Sequence, residues 1–189
     1  MSNKQMKLGV FAMSPGHHVA AWRQKDAQAD LGSNFKAFVQ IAQQAEAAKF
    51  DMVFLDDIVA VKDTSAETGT RVARSAFFEP TTLLSGLAAV TSRIGLTATA
   101  STTYNDPYGL ARRFASLDLI SDGRAGWNLV TSNTEAEAQN FGTRPIPDTT
   151  NATSGLKNSS MSCWACGTVM LTPLSFMTRR QAFISTTKN

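Results

Sequence analysis

The sequence predicts an α/β fold built on a parallel sheet. Three observations carry this: four short apolar runs, a helical segment between each consecutive pair, and an ordinary globular composition. With 43% apolar and 17% charged residues over 189 positions, the chain is long enough for one domain with a real core. Alternation with a helix-length crossover every time is what parallel strands require. An open doubly wound sheet and part of a closed (β/α)₈ barrel both satisfy it, and periodicity does not choose between them.

The first run, "MKLGVFAMS" (Met6 to Ser14), is bounded by Pro15 and Gly16. It is too short for a helix and suits a strand buried on both faces. From Asn34 the pattern changes: Phe35, Phe38, Ala42, Ala45 and Ala48 recur at three and four residues with polar glutamines between them. That is an amphipathic helix, with Ser33 or Asn34 as its N-cap. "DMVFLDD" (Asp51 to Asp57) follows as a second buried strand, then a polar loop containing Gly69.

"PTTLLSGLAAVTSR" (Pro80 to Arg93) reads as a helix with proline in its permitted first turn. "IGLTATAS" (Ile94 to Ser101) is the third strand, and "DPYGLARRFASLDLIS" (Asp106 to Ser121) a helix closed by the turn "DGRAG". "GWNLVTS" (Gly126 to Ser132) is the fourth strand, and a weak helix, "TEAEAQNFG", runs toward Gly142.

Beyond that point the character of the chain changes. From Thr149 to Asn189 there is no acidic residue, serine and threonine are dense, and no period of two or 3.6 is sustained. The expected boundary is therefore an ordered unit over 1–147 and an irregular tail over 148–189. Charge divides at the same place: residues 1–147 carry 14 basic and 14 acidic groups, and the tail alone supplies the formal net charge of +3. Neither a nucleic-acid nor a membrane partner is expected from such a distribution. Both cysteines, Cys163 and Cys166, also lie in the tail. With no apolar run of membrane-spanning length and no secretory leader at "MSNKQMKLGV", the expected location is the cytoplasm.

In parallel α/β folds ligands sit at the carboxyl ends of the strands. The four ends here carry "SPGHHVAAWR", Asp56 and Asp57, "TASTTY" with Thr99 and Ser101, and Asn128 with "VTS". Hydroxyls, an amide and a carboxylate suit the ring nitrogens and carbonyls of an organic heteroaromatic cofactor; a metal would want clustered His, Cys or carboxylates. Plainer readings stand beside these: Asp57 as a loop cap, Thr99 and Ser101 as strand-end backbone partners, His17 and His18 as an exposed loop pair, Arg112 and Arg113 on a solvated helix face. No GxGxxG or Walker loop is present.

The same residues in the same order resemble the flavin-dependent monooxygenases of the bacterial luciferase-like superfamily, in the branch of nitrilotriacetate monooxygenase component A. The segments that carry the resemblance are "GHHVAAWR", "FDMVFLDD", "FFEPTTLLSGLAAVTSRIGLTATASTTYNDPYGLARRFASLDLISDGRAGWNLVTS" and "AEAQNFG", spanning Met6 to about Gly142. The resemblance implies a (β/α)₈ TIM barrel, of which this chain holds the N-terminal half. It implies reduced FMN supplied by a separate NADH:flavin reductase, and oxidation of a small organic substrate by O2 in a two-component system. By position, Asp57, Thr99 and Ser101 would bind FMN, Asn128 would approach it from the fourth strand, and His17 and His18 would line the substrate side. For intact relatives it implies homo-oligomers.

After the fourth strand the family continues with a pattern close to "HDxRYxRAxEF" and then "GLWxS", whereas this chain has "DTTNATSGLKNSS" and "CWACGT". Reading codons one step out of frame permits the family pattern at every step and forces it at two. Cys163 into Trp164 then always gives Leu, Trp164 into Ala165 always gives Gly, and the next steps permit Leu and Trp. "DTTNATSGLKNS" likewise permits "HDERYERAQEF". The expectation is a frame change near Pro147 or Asp148, an unclosed barrel with exposed strand edges, and weak or absent activity. A noncatalytic half-barrel remnant is the alternative. A zinc or thiol module at Cys163 and Cys166 is a third reading, poorly supported because one CxxC supplies two of the four ligands that a structural zinc needs.

Overall fold

A computed structural model describes residues 6–13, 16–18, 20–28, 30–60, 77–132 and 134–142, together with a two-residue strand at 170–171. Five parallel strands lie side by side in chain order: β1 (Gly9–Phe11), β2 (Met52–Leu55), β3 (Gly95–Ser101), β4 (Ala125–Val130) and β5 (Met170–Leu171). Between them run α1 (Phe35–Ala47), α2 (Pro80–Ala88) and α3 (Pro107–Ser121), and a short α4 (Glu135–Asn140) follows β4. The predicted β-α-β-α-β-α-β order runs from β1 to β4, and β5, within the segment expected as an irregular tail, adds a fifth strand beside β4. The pair Cys163 and Cys166 lies outside the described residues.

Each helix begins where its side chains satisfy the free amides of the first turn. Asn34 caps α1 by accepting from the Ala37 N–H at 3.1 Å. Glu79 caps α2, one oxygen accepting from the Thr81 N–H at 2.9 Å and the other from the Thr82 N–H at 2.7 Å, with Pro80 in the first turn. Asp106 caps α3 through the Gly109 N–H at 2.8 Å. The "DG" turn ends α3 in the left-handed region, Asp122 at φ 57° and Gly123 at φ 80°, the conformation that glycine takes without penalty.

The core lies between the sheet and the helices. Val53, Leu55, Leu96, Ala98, Ala100 and Trp127 point toward Leu84, Leu87, Leu110, Phe114 and Leu117. Trp127 is fully buried, stacks on Phe114 with ring centroids 5.2 Å apart and donates its indole N–H to the Ala100 carbonyl at 3.0 Å.

At the amino ends of the strands two side chains hold one turn. Glu46 of α1 accepts from the N–H groups of Ser92, Arg93 and Ile94 at 2.9, 2.5 and 3.0 Å. Burial pushes that carboxyl upward, but the bonds from Ile94, Arg93 and Ser92 outweigh it and hold the group below the usual carboxylate range. Arg124 donates to the carbonyls of Ala88, Thr91, Ile94 and Ser121 at 2.7 to 3.1 Å. This pinning is why α2 stops at Ala88 rather than continuing to Arg93 as its apolar pattern suggests.

The opposite sheet face corrects one expectation. β1 is not buried on both sides: Gly9 and Phe11 are exposed, and only Val10 turns inward. Phe11 packs edge-on against Phe54, ring centroids 5.0 Å apart, on the face that the helices do not cover. Arg112 and Arg113 lie on the exposed side of α3 as expected, Arg112 over the Tyr108 ring and Arg113 bonded to Asn105.

Candidate active site

The helix-free face of the sheet is built from alternate residues: Thr97, Thr99 and Ser101 on β3, and Gly126, Asn128 and Val130 on β4. Gly126 has to be glycine here, because a Cβ at that position would lie 2.5 Å from the Thr97 hydroxyl oxygen. Two register steps on, at the next pair on this face, Thr99 pairs with Asn128, and the Asn128 amide donates to the Thr99 hydroxyl at 3.0 Å. Two of the expected cofactor residues thus touch directly. Thr99 is buried; Asn128 is half-buried and keeps a carbonyl and a second amide hydrogen for another partner.

Ser101 and Asp57 meet at the carboxyl ends of the strands. They line a cleft of about 200 Å³ together with Ile58, Val130, Ser132 and Glu137. Asp57 sits where β2 runs out. Burial pushes its carboxyl up to about 6, and the nearby charges of Glu79, Asp56 and Glu137 act the same way against a bond from the Ile58 N–H. A carboxyl so placed takes up or gives up a proton close to neutral pH, as an acid–base group in a cleft must.

The wall opposite Asp57 is a chain of hydroxyls ending in a buried carboxylate. Ser132 Oγ lies 2.8 Å from Ser101 Oγ and 3.0 Å from Glu137 Oε1. The other Glu137 oxygen accepts from the Thr134 hydroxyl at 2.8 Å and the Thr134 N–H at 3.3 Å, a capping box that starts α4. Nearby, the Tyr104 ring stacks on Phe141 at 4.5 Å, and its hydroxyl is buried with no hydrogen-bond partner among the described residues. Burial and the charge of Glu137 raise its pKa.

His17 and His18 stand elsewhere, on an exposed turn after β1. His17 packs edge-on against Phe11 at 4.9 Å and His18 Nδ1 accepts from the Ala20 N–H at 3.1 Å. Neither lines the cleft. Ser132 lines it from the "VTS" strand end, and Glu137 lines it as a residue that sequence alone does not single out, although Thr134-x-x-Glu137 is the spacing of a capping box. Among the described residues no three His, Cys, Asp or Glu side chains gather to hold a metal ion. The lining offers hydroxyls and acids, and the Asn128 amide stands on the same sheet face bonded to Thr99, a set that suits the polar edge of a heteroaromatic ring; no cation lies among the described lining residues.

Comparison with known proteins decides the ancestry of this arrangement. The luciferase-like monooxygenase family matches residues 6–154. The chain belongs to that family. Among the relatives of this luciferase-like chain, N-acetyl-S-(2-succino)cysteine monooxygenase of Bacillus subtilis is 55% identical over 139 residues, 73% of this chain and 30% of that protein. Nitrilotriacetate monooxygenase component A of Aminobacter aminovorans is 45% identical over 148 residues, 75% of this chain and 33% of that protein. A riboflavin lyase solved with modified FMN and riboflavin superposes with a TM-score of 0.74 at 30% identity, covering 84% of this chain and 37% of that one. The family members are monooxygenases, and the chain spans about a third of the length of the curated relatives it matches. No helix among the described residues is long and apolar enough to cross a membrane.

Proposed function

We propose that this chain derives from a two-component monooxygenase of the nitrilotriacetate type, using reduced FMN from a separate NADH:flavin reductase to oxidise a small organic substrate with O2. The observation that carries the reading is the pairing of Thr99 with Asn128 on the helix-free sheet face, two residues before the strand ends where Ser101 and Asp57 line the cleft. Reduced FMN supplies the electrons that activate dioxygen.

The chain's own residues hold and orient. Thr99 and Asn128, already joined, offer one hydroxyl proton, one amide hydrogen and one amide carbonyl toward the ring edge. Asp57 holds or releases a proton at its carboxyl near pH 6. His17 and His18, on the exposed turn after β1, would serve the substrate side in this reading. The cytoplasm is the expected location.

The tail from Asp148 carries a second part of the proposal, a frame change near Pro147 or Asp148. Its support is the forced Leu-Gly reading across Cys163, Trp164 and Ala165 and a family match that ends at residue 154. A gene in which no single shift restores "HDERY" and "GLWDS" would refute it. In this reading the chain is a partial barrel of weak or no activity, and a noncatalytic remnant is the limiting case. Anaerobic titration of the full chain with reduced FMN, then oxygen consumption with a reductase, separates the two. Saturable binding with substrate-dependent uptake supports the enzyme; binding without uptake supports the remnant, and no binding removes the flavin reading.

A further inference from the structure

The hydroxyl chain beside the cleft has a direction, and that direction fixes what it can recognise. Ser132 owns one hydroxyl proton but stands near two oxygens, Ser101 Oγ at 2.8 Å and Glu137 Oε1 at 3.0 Å. A carboxylate only accepts, and a charge-assisted bond is about twice as strong as a neutral one. The proton therefore belongs to Glu137. Ser132 then meets Ser101 with a lone pair, so the proton across the 2.8 Å contact comes from Ser101. Ser101 Oγ also accepts from the Thr103 N–H at 3.2 Å. Its donor is committed inside the wall, and only acceptor capacity remains for the cleft.

We propose that Glu137, acting through Ser132, sets Ser101 as a hydrogen-bond acceptor toward the cleft, so that the group bound there presents an N–H or O–H. All three residues are at least nine-tenths buried, Ser101 and Glu137 at 5% and Ser132 at 7% exposure, so water does not scramble the order. Glu137 is a positioning residue in this account. The inference rests on the flavin reading for its ligand, whose ring imide and ribityl hydroxyls are donors of the required kind; the proton order itself does not.

Substitution Glu137→Gln tests the order because the amide has one preferred orientation. The Thr134 side presents two donors, N–H and O–H, and the Ser132 side presents one. The amide oxygen turns to Thr134, the NH2 turns to Ser132, and both serines reverse, leaving Ser101 donating into the cleft. FMN binding to the full chain, followed by fluorescence quenching, should weaken about tenfold or more in Glu137→Gln, the scale of one lost hydrogen bond. Ser101→Ala should weaken it less, and in the Ser101→Ala background Glu137→Gln should cost nothing further. Equal effects of Glu137→Gln with and without Ser101, or unchanged affinity in Glu137→Gln, would overturn the proposal.

If wild type does not bind FMN, the flavin reading fails and the order is read without ligand. NMR of serine-labelled protein should then find the Ser132 hydroxyl proton cross-relaxing with Glu137 and the Ser101 hydroxyl proton with Ser132. A Ser132 proton directed at Ser101 would overturn it.

Discussion

Replacing Asp57 with asparagine removes a charge that the fold does not want. The carboxyl sits at about 6 in the folded chain against an ordinary 3.8, with burial first and Glu79, Asp56 and Glu137 after it as the causes. The sign follows from proton counting. Between pH 4 and 6 the folded state holds a proton that the unfolded state has released, so stability falls as pH rises through that window and stays low above it. A separation of about two pH units corresponds to about 3 kcal/mol at most. Asp57 is partly open to solvent, which screens the charges around it, so about 1–2 kcal/mol is the expected cost. Asp57→Asn cannot ionise, and its carbonyl still accepts from Ile58. Urea denaturation of both full-length proteins from pH 3.5 to 7.5 should show Asp57→Asn more stable by about 1–2 kcal/mol at pH 7 and the two curves converging below pH 4. A difference independent of pH, or a less stable Asp57→Asn at pH 7, would refute the placement of this carboxyl in a desolvated, negatively charged cleft.

Three further substitutions probe the frame that positions the cleft. Glu46→Ala leaves three amides of the 92–94 turn without their acceptor, and because water reaches part of that turn, a loss of about 1–3 kcal/mol is expected by urea melting, with Glu46→Gln recovering part of it. Trp127→Ala empties the space under Phe114 and removes the indole donor to the Ala100 carbonyl; about 3–5 kcal/mol of destabilisation should be visible as a lowered melting temperature. Gly126→Ala drives a methyl into Thr97 and should cost about 1–3 kcal/mol, with an altered cross-peak for the Thr99–Asn128 pair, the next on the same face, in an amide NMR spectrum.

Much of this architecture is written in local pattern. Asn34, Pro80 and the Asp122–Gly123 turn mark helix ends through the conformations those residues favour, and the strands stand out because they are short and apolar between polar helical stretches. What local pattern does not contain is pairing across the sheet. The contact of Thr99 with Asn128 depends on the register of β3 against β4, which no single segment encodes. Glu46 reads as one more polar residue on an amphipathic helix, and Arg124 as one more turn cation; their roles arise only when α1 and β4 meet the same turn at 91–94. Glu137 was legible in part, since Thr134-x-x-Glu137 has capping-box spacing, yet its place in the cleft follows from the nearness of Ser132 and Ser101. The open face of β1 was misjudged because a continuous apolar run says that a strand is apolar, not that both its faces find cover.

Strand order along the sheet is the order of the chain itself. Each βα unit therefore docks on a neighbour that left the ribosome before it, and no strand has to wait for a later one to fill a gap beside it. Sequence separations between partners stay near the length of one βα unit, which favours rapid, vectorial assembly. A nascent chain arrested after α3 should already protect the amides of β2 from exchange, while the β3 amides that bond to β4 stay open on the growing margin.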